Sequence, residues 1–246
     1  MTTAAVAIVD FGAGNLRSVA HAVEHVGLAA AVTSDAHEIL AARGVILPGV
    51  GAAADTMANL ARRDLIGVVK EVIARGTPFF GVCMGLQALF TVSEEGGRHR
   101  CLDVVPGTVR RFPPGRTIPH MGWNQVRQVQ RHPFFDGVPD GAHFYFVHSY
   151  YVDPEDRSVV AGETEYGAPF ASVVIRGNVV ATQFHPEKSA MHGLQLYRNF
   201  GRIVRGELSL PEAGDRRPVG GRGRGGPAER AASAVGGPAL AGRPSR

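Results

Sequence analysis

Gly81-Val82-Cys83-Met84-Gly85 carries the clearest chemical signature in this chain. An apolar run from Pro78 to Val82 leads into it, and residues 84–91 follow with helical spacing. A nucleophile on a tight turn between strand and helix needs small neighbours, because backbone from adjacent elements passes close by. At the head of a helix the dipole and the free N–H groups favour a thiolate. Cys83 therefore reads as a nucleophile. The competing reading is a buried structural cysteine.

A thiolate nucleophile needs a partner that handles protons. The chain holds ten histidines. His21, His25 and His37 fall in or beside a predicted helix, and His99 and His132 in polar loops. His120, His143 and His148 lie in apolar or aromatic segments. His185 stands apart, because it follows the run Val179 to Phe184 and precedes Pro186 and Glu187. Proline biases the residue before it toward extended backbone. In extended backbone, residues two apart share a side, so Glu187 can reach His185 and fix its tautomer, as a carboxylate does in a serine triad.

The elements that must position these groups follow from periodicity. Residues 4–9, 43–47 and 78–82 are short apolar runs that suit buried strands. Residues 15–26, 52–75 (as one helix or two) and 84–91 have helical spacing, and Gly27 stands where the first helix would stop. Such alternation implies parallel βαβ units. Beyond residue 100, segments 104–112, 143–152, 158–164, 169–176 and 178–184 read as strands joined by turns, and a helix over 190–205 closes the body. The expected fold is α/β, with three layers around a central mixed, mostly parallel sheet. One domain is predicted over residues 1–207.

Residues 208–246 read as a disordered, Gly/Pro/Arg-rich tail. From Pro211 onward lie seven arginines against Glu212, Asp215 and Glu229, which leaves 19 basic and 19 acidic residues before it. The net charge of +4 thus belongs to the tail, and no nucleic-acid surface is predicted on the body. No apolar run approaches the roughly 20 residues of a membrane-spanning helix, so no membrane association is predicted. Cys83 and Cys101 fit neither a disulfide framework nor a metal-ligand pattern, so neither metal nor cofactor is expected and a reducing cytoplasm is the simplest home.

Gly81-Val82-Cys83-Met84-Gly85 with Gln87, and Phe184-His185-Pro186-Glu187 downstream, resembles the class I glutamine amidotransferases. The resemblance implies that Cys83 attacks the side-chain amide of glutamine, forming a glutamyl thioester that water later hydrolyses. It places the oxyanion donors on the backbone of Met84 and of the loop Gly49-Val50-Gly51. Further motifs are similar to one branch, the glutaminase subunits of imidazole glycerol phosphate synthases. These are the opening Asp10 to Val19, Leu47 to Gly51, Pro119-His120-Met121-Gly122-Trp123-Asn124, Tyr145 to Tyr151, and Phe184 to Ser189. That resemblance spans residue 4 to about 205.

Members of that branch work as a heterodimer with a (β/α)8 cyclase subunit. Ammonia released from glutamine passes to the cyclase, which converts the nucleotide PRFAR to imidazole glycerol phosphate and AICAR in histidine biosynthesis. The resemblance assigns glutamine binding to Gln87, Glu95, Ser149 and Tyr150. It sets Asn15, Met121, Trp123 and Lys188 toward the cyclase, with Trp123 read as lying in a polar loop. Phe11 departs from the tyrosine usual in the first motif. Ala52-Ala53 follows the loop where an aromatic residue is usual nearby. Cys101-Leu102-Asp103 stands where Gly-Leu-Gly is common, so the turn before Val104 is expected to differ. The alternatives are a glutaminase that feeds a pyridoxal phosphate synthase, a cysteine hydrolase of another class, and a non-catalytic regulatory module.

Overall fold

A computed structural model describes residues 5–208. The predicted tail falls outside them, apart from Leu208. In chain order the elements are β1 (Val6–Val9), α1 (Leu16–His25), β2 (Ala30–Thr33), α2 (Ala36–Ala41), β3 (Gly44–Leu47), α3 (Ala53–Arg62), α4 (Leu65–Ala74), β4 (Phe79–Val82) and α5 (Met84–Ala88). Then follow β5 (Phe90–Ser93), β6 (His99–Arg100), β7 (Val105–Arg111), β8 (His120–Gln128), β9 (Ala142–His148), β10 (Tyr150–Pro154), β11 (Val160–Glu165), β12 (Pro169–Arg176), β13 (Val179–Thr182) and α6 (Ala190–Val204).

The main sheet runs β2-β1-β3-β4-β13-β12-β10-β7-β5-β6, with β11, β8 and β9 branching from β12. Its first five strands are parallel. The β13–β12–β10–β7 pairings are antiparallel, so the sheet is mixed, as the turn-rich second half of the chain predicts.

Alternation along the parallel strands creates the three layers. Val6 and Ile8 of β1, with Ile46 and Phe80, pack against Val19 and Val23 of α1 and Leu196, Tyr197 and Phe200 of α6. Ala7 and Val9, with Val45, Leu47 and Phe79, face α2, α3, α4 and α5 on the other side. Strands buried on both faces read as continuous apolar runs, which is why β1, β3 and β4 are visible in the sequence. Phe80 anchors α6, making ring contacts with Phe134, Tyr197 and Phe200.

The 52–75 stretch, expected as one helix or two, is two, separated at Asp64, whose φ is 56°. Several elements differ from expectation. The helix after Cys83 ends at Ala88, and residues 90–93 continue as a strand that pairs with β7. The 143–152 segment breaks at Ser149 into β9 and β10. His120-Met121-Gly122-Trp123-Asn124 is not a loop; it opens β8, antiparallel to β9. β2, α2 and β6 carry too few apolar residues at clean spacing to have been predicted. Asp103 takes a left-handed φ of 56° at the turn where Gly-Leu-Gly is usual, with Thr91 donating to its carboxylate at 2.6 Å. His132 is not a loop bystander: it is buried, and its Nδ1 accepts the Phe134 N–H at 3.1 Å.

Candidate active site

β4 delivers Cys83 and α5 departs from it. The residue between them has φ 53° and ψ −104°, a conformation that costs a non-glycine residue about 1–3 kcal/mol. Neighbouring backbone holds it there. Cys83 N–H donates to the Thr182 carbonyl at 2.7 Å, and the Cys83 carbonyl accepts from Leu86 N at 3.0 Å and Gln87 N at 3.2 Å. A Cβ on Gly85 would stand 1.9 Å from the Leu47 carbonyl oxygen, and one on Gly81 would stand 2.9 Å from the Gly85 carbonyl oxygen. The glycines at both flanks are therefore required by close backbone approach.

β13 lies parallel to β4 with Thr182 opposite Val82, so the chain leaves the sheet beside Cys83 and brings His185 there. His185 is extended, with φ −99° and ψ 98°, as a residue before proline should be. Its Nδ1 lies 2.8 Å from Glu187 Oε1, and both side chains are buried, at 2% and 1% exposure. A carboxylate only accepts, so Nδ1 carries the hydrogen and Nε2 is left to exchange a proton. Burial opposes charge on His185. Its interactions with Cys83 and Glu187 outweigh burial and raise its pKa to about 10. The ring therefore keeps its proton at neutral pH.

Beyond His185, Glu187 is supported on one side only. Asn15, at the head of α1, does not cap its own helix; its Nδ2 lies 3.4 Å from Glu187 Oε1. Among the described residues, Glu187 Oε2 and the Tyr197 hydroxyl are buried without hydrogen-bond partners. Burial, then the charge of Glu187, holds the Tyr197 hydroxyl neutral well beyond the usual range.

A cavity of about 200 Å³ joins these groups, with Cys83, Met84, Gln87, Glu95, Ser149, Tyr150, His185 and Lys188 on its wall. Val50 and Gly51 also line it, whereas Gly49 sits behind them; a Cβ there would come within 2.5 Å of Met84 Cβ. Gly51 has φ +91°, and Glu95 Oε2 accepts the Ala53 N–H at 3.0 Å, tying the loop's exit to the pocket. Gln87 Nε2 donates to the Tyr150 carbonyl at 3.0 Å and to Gln183 Oε1 at 3.1 Å, and Gln87 Oε1 is buried without a partner among the described residues. A wider cleft of about 1040 Å³ lies at the opposite end of the parallel strands, near Val179 and Arg127; among the described residues that line it there is neither cysteine nor histidine.

Gln183 is the residue that sequence reasoning missed. Fully buried, it donates from Nε2 to Cys83 Sγ at 3.7 Å. The available signal was a carboxamide inside the apolar run Val179 to Phe184, since a buried polar side chain must find a partner.

The residues expected to face a partner divide. Met121 and Trp123, at 63% and 54% exposure, project from the solvent side of β8. Trp123 stacks edge-on to Tyr145 at 6.4 Å, and Lys188 Nζ lies 5.9 Å above the same Tyr145 ring. Asn15 is instead half-buried against Glu187.

A thiol on a strained elbow, beside a buried histidine–carboxylate pair and under a glycine loop, is equipped for acyl transfer. The sequence model of the family "Glutamine amidotransferase class-I" matches residues 7–203, and the chain belongs to that family. The chain is 51% identical over 202 residues to the imidazole glycerol phosphate synthase subunit HisH of Dehalococcoides mccartyi (strain CBDB1), covering 82% of this chain and 98% of that one. It is 54% identical over 200 residues to the subunit HisH of Moorella thermoacetica, covering 81% and 95% respectively. Within the class it belongs to the HisH family. Among solved structures, one titled as a glutamine amidotransferase superposes with a TM-score of 0.65 at 20% identity, over 82% of this chain and 99% of that one. PurLQS from Thermotoga maritima gives 0.61 at 19%, over 83% and 98%. At those identities the likeness is one of fold.

Proposed function

We propose that this chain hydrolyses glutamine to glutamate and ammonia, as the glutaminase subunit of an imidazole glycerol phosphate synthase. The observation that carries the chemistry is the buried His185–Glu187 pair at 2.8 Å beside the strained Cys83. Cys83 Sγ attacks the side-chain carbonyl carbon of glutamine. Met84 N–H, which opens α5, and an N–H of the Val50–Gly51 loop stabilise the oxyanion. As the C–N bond breaks, His185 Nε2 gives its proton to the leaving nitrogen and ammonia departs. Water then attacks the thioester, His185 takes a proton back, and glutamate leaves Cys83. Glu187 holds the His185 tautomer throughout.

Gln87, Glu95, Ser149 and Tyr150 hold the substrate. The free acceptor of Gln87 suits a donor on glutamine, and the Glu95 carboxylate suits its ammonium group. The exposed Met121, Trp123 and Lys188 face a (β/α)8 cyclase, which uses the ammonia on PRFAR. Asn15 positions Glu187 at the same edge. The test is mass spectrometry of an acid-quenched reaction with glutamine. A glutamyl adduct on Cys83 is expected; turnover with an adduct on another residue, or with none in a burst-phase sample, contradicts the assignment.

A further inference from the structure

His120 and His148 are cross-strand neighbours in the β8–β9 pair, and both are buried. His148 Nδ1 lies 2.8 Å from the Tyr150 carbonyl. A carbonyl only accepts, so Nδ1 carries the hydrogen and Nε2 of the neutral ring accepts. His120 Nδ1, 2.9 Å from that Nε2, must then be the donor, and His120 Nε2 accepts from Asn124 Nδ2 at 3.2 Å. Asn124 is fixed in turn, since its Nδ2 also donates to the Glu165 carbonyl at 2.9 Å and its Oδ1 accepts the Gln125 N–H at 2.8 Å.

The chain continues past Tyr150. Its carbonyl also accepts from Gln87 Nε2, whose second hydrogen goes to Gln183 Oε1, and Gln183 Nε2 donates to Cys83 Sγ. Flipping either carboxamide would set donor against donor or acceptor against acceptor, so each orientation is determined by its neighbours. Gln183, Gln87, His120 and His148 are 0%, 2%, 3% and 6% exposed, and in such surroundings an unmade hydrogen bond is expensive.

We infer that Asn124, His120, His148, the Tyr150 carbonyl, Gln87 and Gln183 form a hydrogen-bonded positioning relay from strand β8 to the sulfur of Cys83. Gln183 is a positioning residue that holds the sulfur through its N–H, and the outer members set the donor's position. The relay rests on the reading of Cys83 as the nucleophile. It deepens that reading by giving β8, whose outward face carries Met121 and Trp123, a mechanical connection to the reacting atom. A displacement of β8 on docking reaches Cys83 through a path with one permitted arrangement of hydrogens.

Alkylation of the full chain by iodoacetamide, followed across pH with each cysteine quantified by mass spectrometry, tests this without glutamine or partner. Cys101 reports folding, since burial pushes its thiol up to about 11 and it is labelled only when the fold opens. Gln183→Met is expected to lower the rate of Cys83 alkylation at neutral pH by up to about tenfold, the scale of a hydrogen bond to a charged group. Asn124→Ala and His120→Phe are expected to move it the same way by smaller steps. Added to Gln183→Met, Asn124→Ala should have no further effect, because the last link is already gone. Unchanged profiles in Asn124→Ala and His120→Phe, or steps that simply add in the double variant, overturn the relay. Should Gln183→Met expose Cys101, the other two variants decide. Since no turnover is measured, loss of the relay and loss of the glutaminase reading give different results.

Discussion

Glu187 Oε1 accepts from His185 Nδ1 at 2.8 Å, inside a region that leaves both side chains almost no contact with water. The carboxylate thereby fixes which nitrogen of His185 faces the reaction and helps keep the ring protonated. Glu187→Gln keeps the size of the side chain and removes the charge. Glutamate release should fall by about 10²–10⁴, the range of a general acid–base contribution. The alkaline limb of activity, which tracks loss of the His185 proton near pH 10 in the parent, should move to lower pH. Steady-state rates from pH 6 to 10.5 check both effects.

The strain at Cys83 separates two inactive variants. Cys83→Ala and Cys83→Gly both lose the sulfur, but alanine keeps the disfavoured φ of 53°, which glycine adopts freely. Cys83→Gly should therefore be more stable than Cys83→Ala by roughly 1 kcal/mol, against the usual order. Urea unfolding of the two chains measures the difference. Equal stabilities, or the usual order, would place the strain elsewhere.

Gly85 has no room for even a methyl group, because a Cβ would overlap the Leu47 carbonyl oxygen at 1.9 Å. Gly85→Ala should destabilise the chain by about 3 kcal/mol or more, beyond typical overpacking. By contrast Gly67→Ala, in α4 with open space around the new atom, should gain up to about 1 kcal/mol. Thermal unfolding of both reads out the contrast.

Acid sensitivity follows from the buried histidine pair. Burial lowers His120 to about 4. Burial, and the nearby His120 and His185, lower His148 to about 3 despite its hydrogen bond to Tyr150. In the unfolded chain both take up protons near pH 6.5. Between that pH and the folded values the unfolded state binds more protons, so stability present above 6.5 is lost as pH falls toward 4 and then 3. Each group contributes a slope of up to about 1.4 kcal/mol per pH unit. His120→Phe should retain ring packing against Phe146 and Tyr166 and show a shallower fall in urea midpoint from pH 7 to 5.

What the sequence disclosed follows from how each element is buried. β1, β3 and β4 are covered on both faces and appear as apolar runs, and α1 buries Val19, Ala22 and Val23 along one stripe. Cys83, His185 and Glu187 stood out because Gly81 and Gly85 leave room for close backbone approach around Cys83 and Pro186 restricts the backbone at His185. β8 was not, because only one of its faces is covered and its first residues include glycine, asparagine and an exposed tryptophan. α5 was drawn too long because Leu86, Leu89 and Phe90 keep helical spacing although Phe90 already opens β5. Gln183 and His120 escaped because their partners are distant in sequence; the hydrogen bond to Cys83 exists only once β13 lies beside β4, and the one to His148 only once β8 lies beside β9.

The most direct test of the account is glutamate release from glutamine by the purified chain, alone and with a cyclase subunit carrying its nucleotide ligand. The account predicts slow release alone and strong stimulation by the liganded cyclase, with both lost in Cys83→Ala while the two subunits still associate. Glutamate released equally by Cys83→Ala would contradict the assigned chemistry, and brisk release by the parent with no response to the cyclase would contradict the assigned partner.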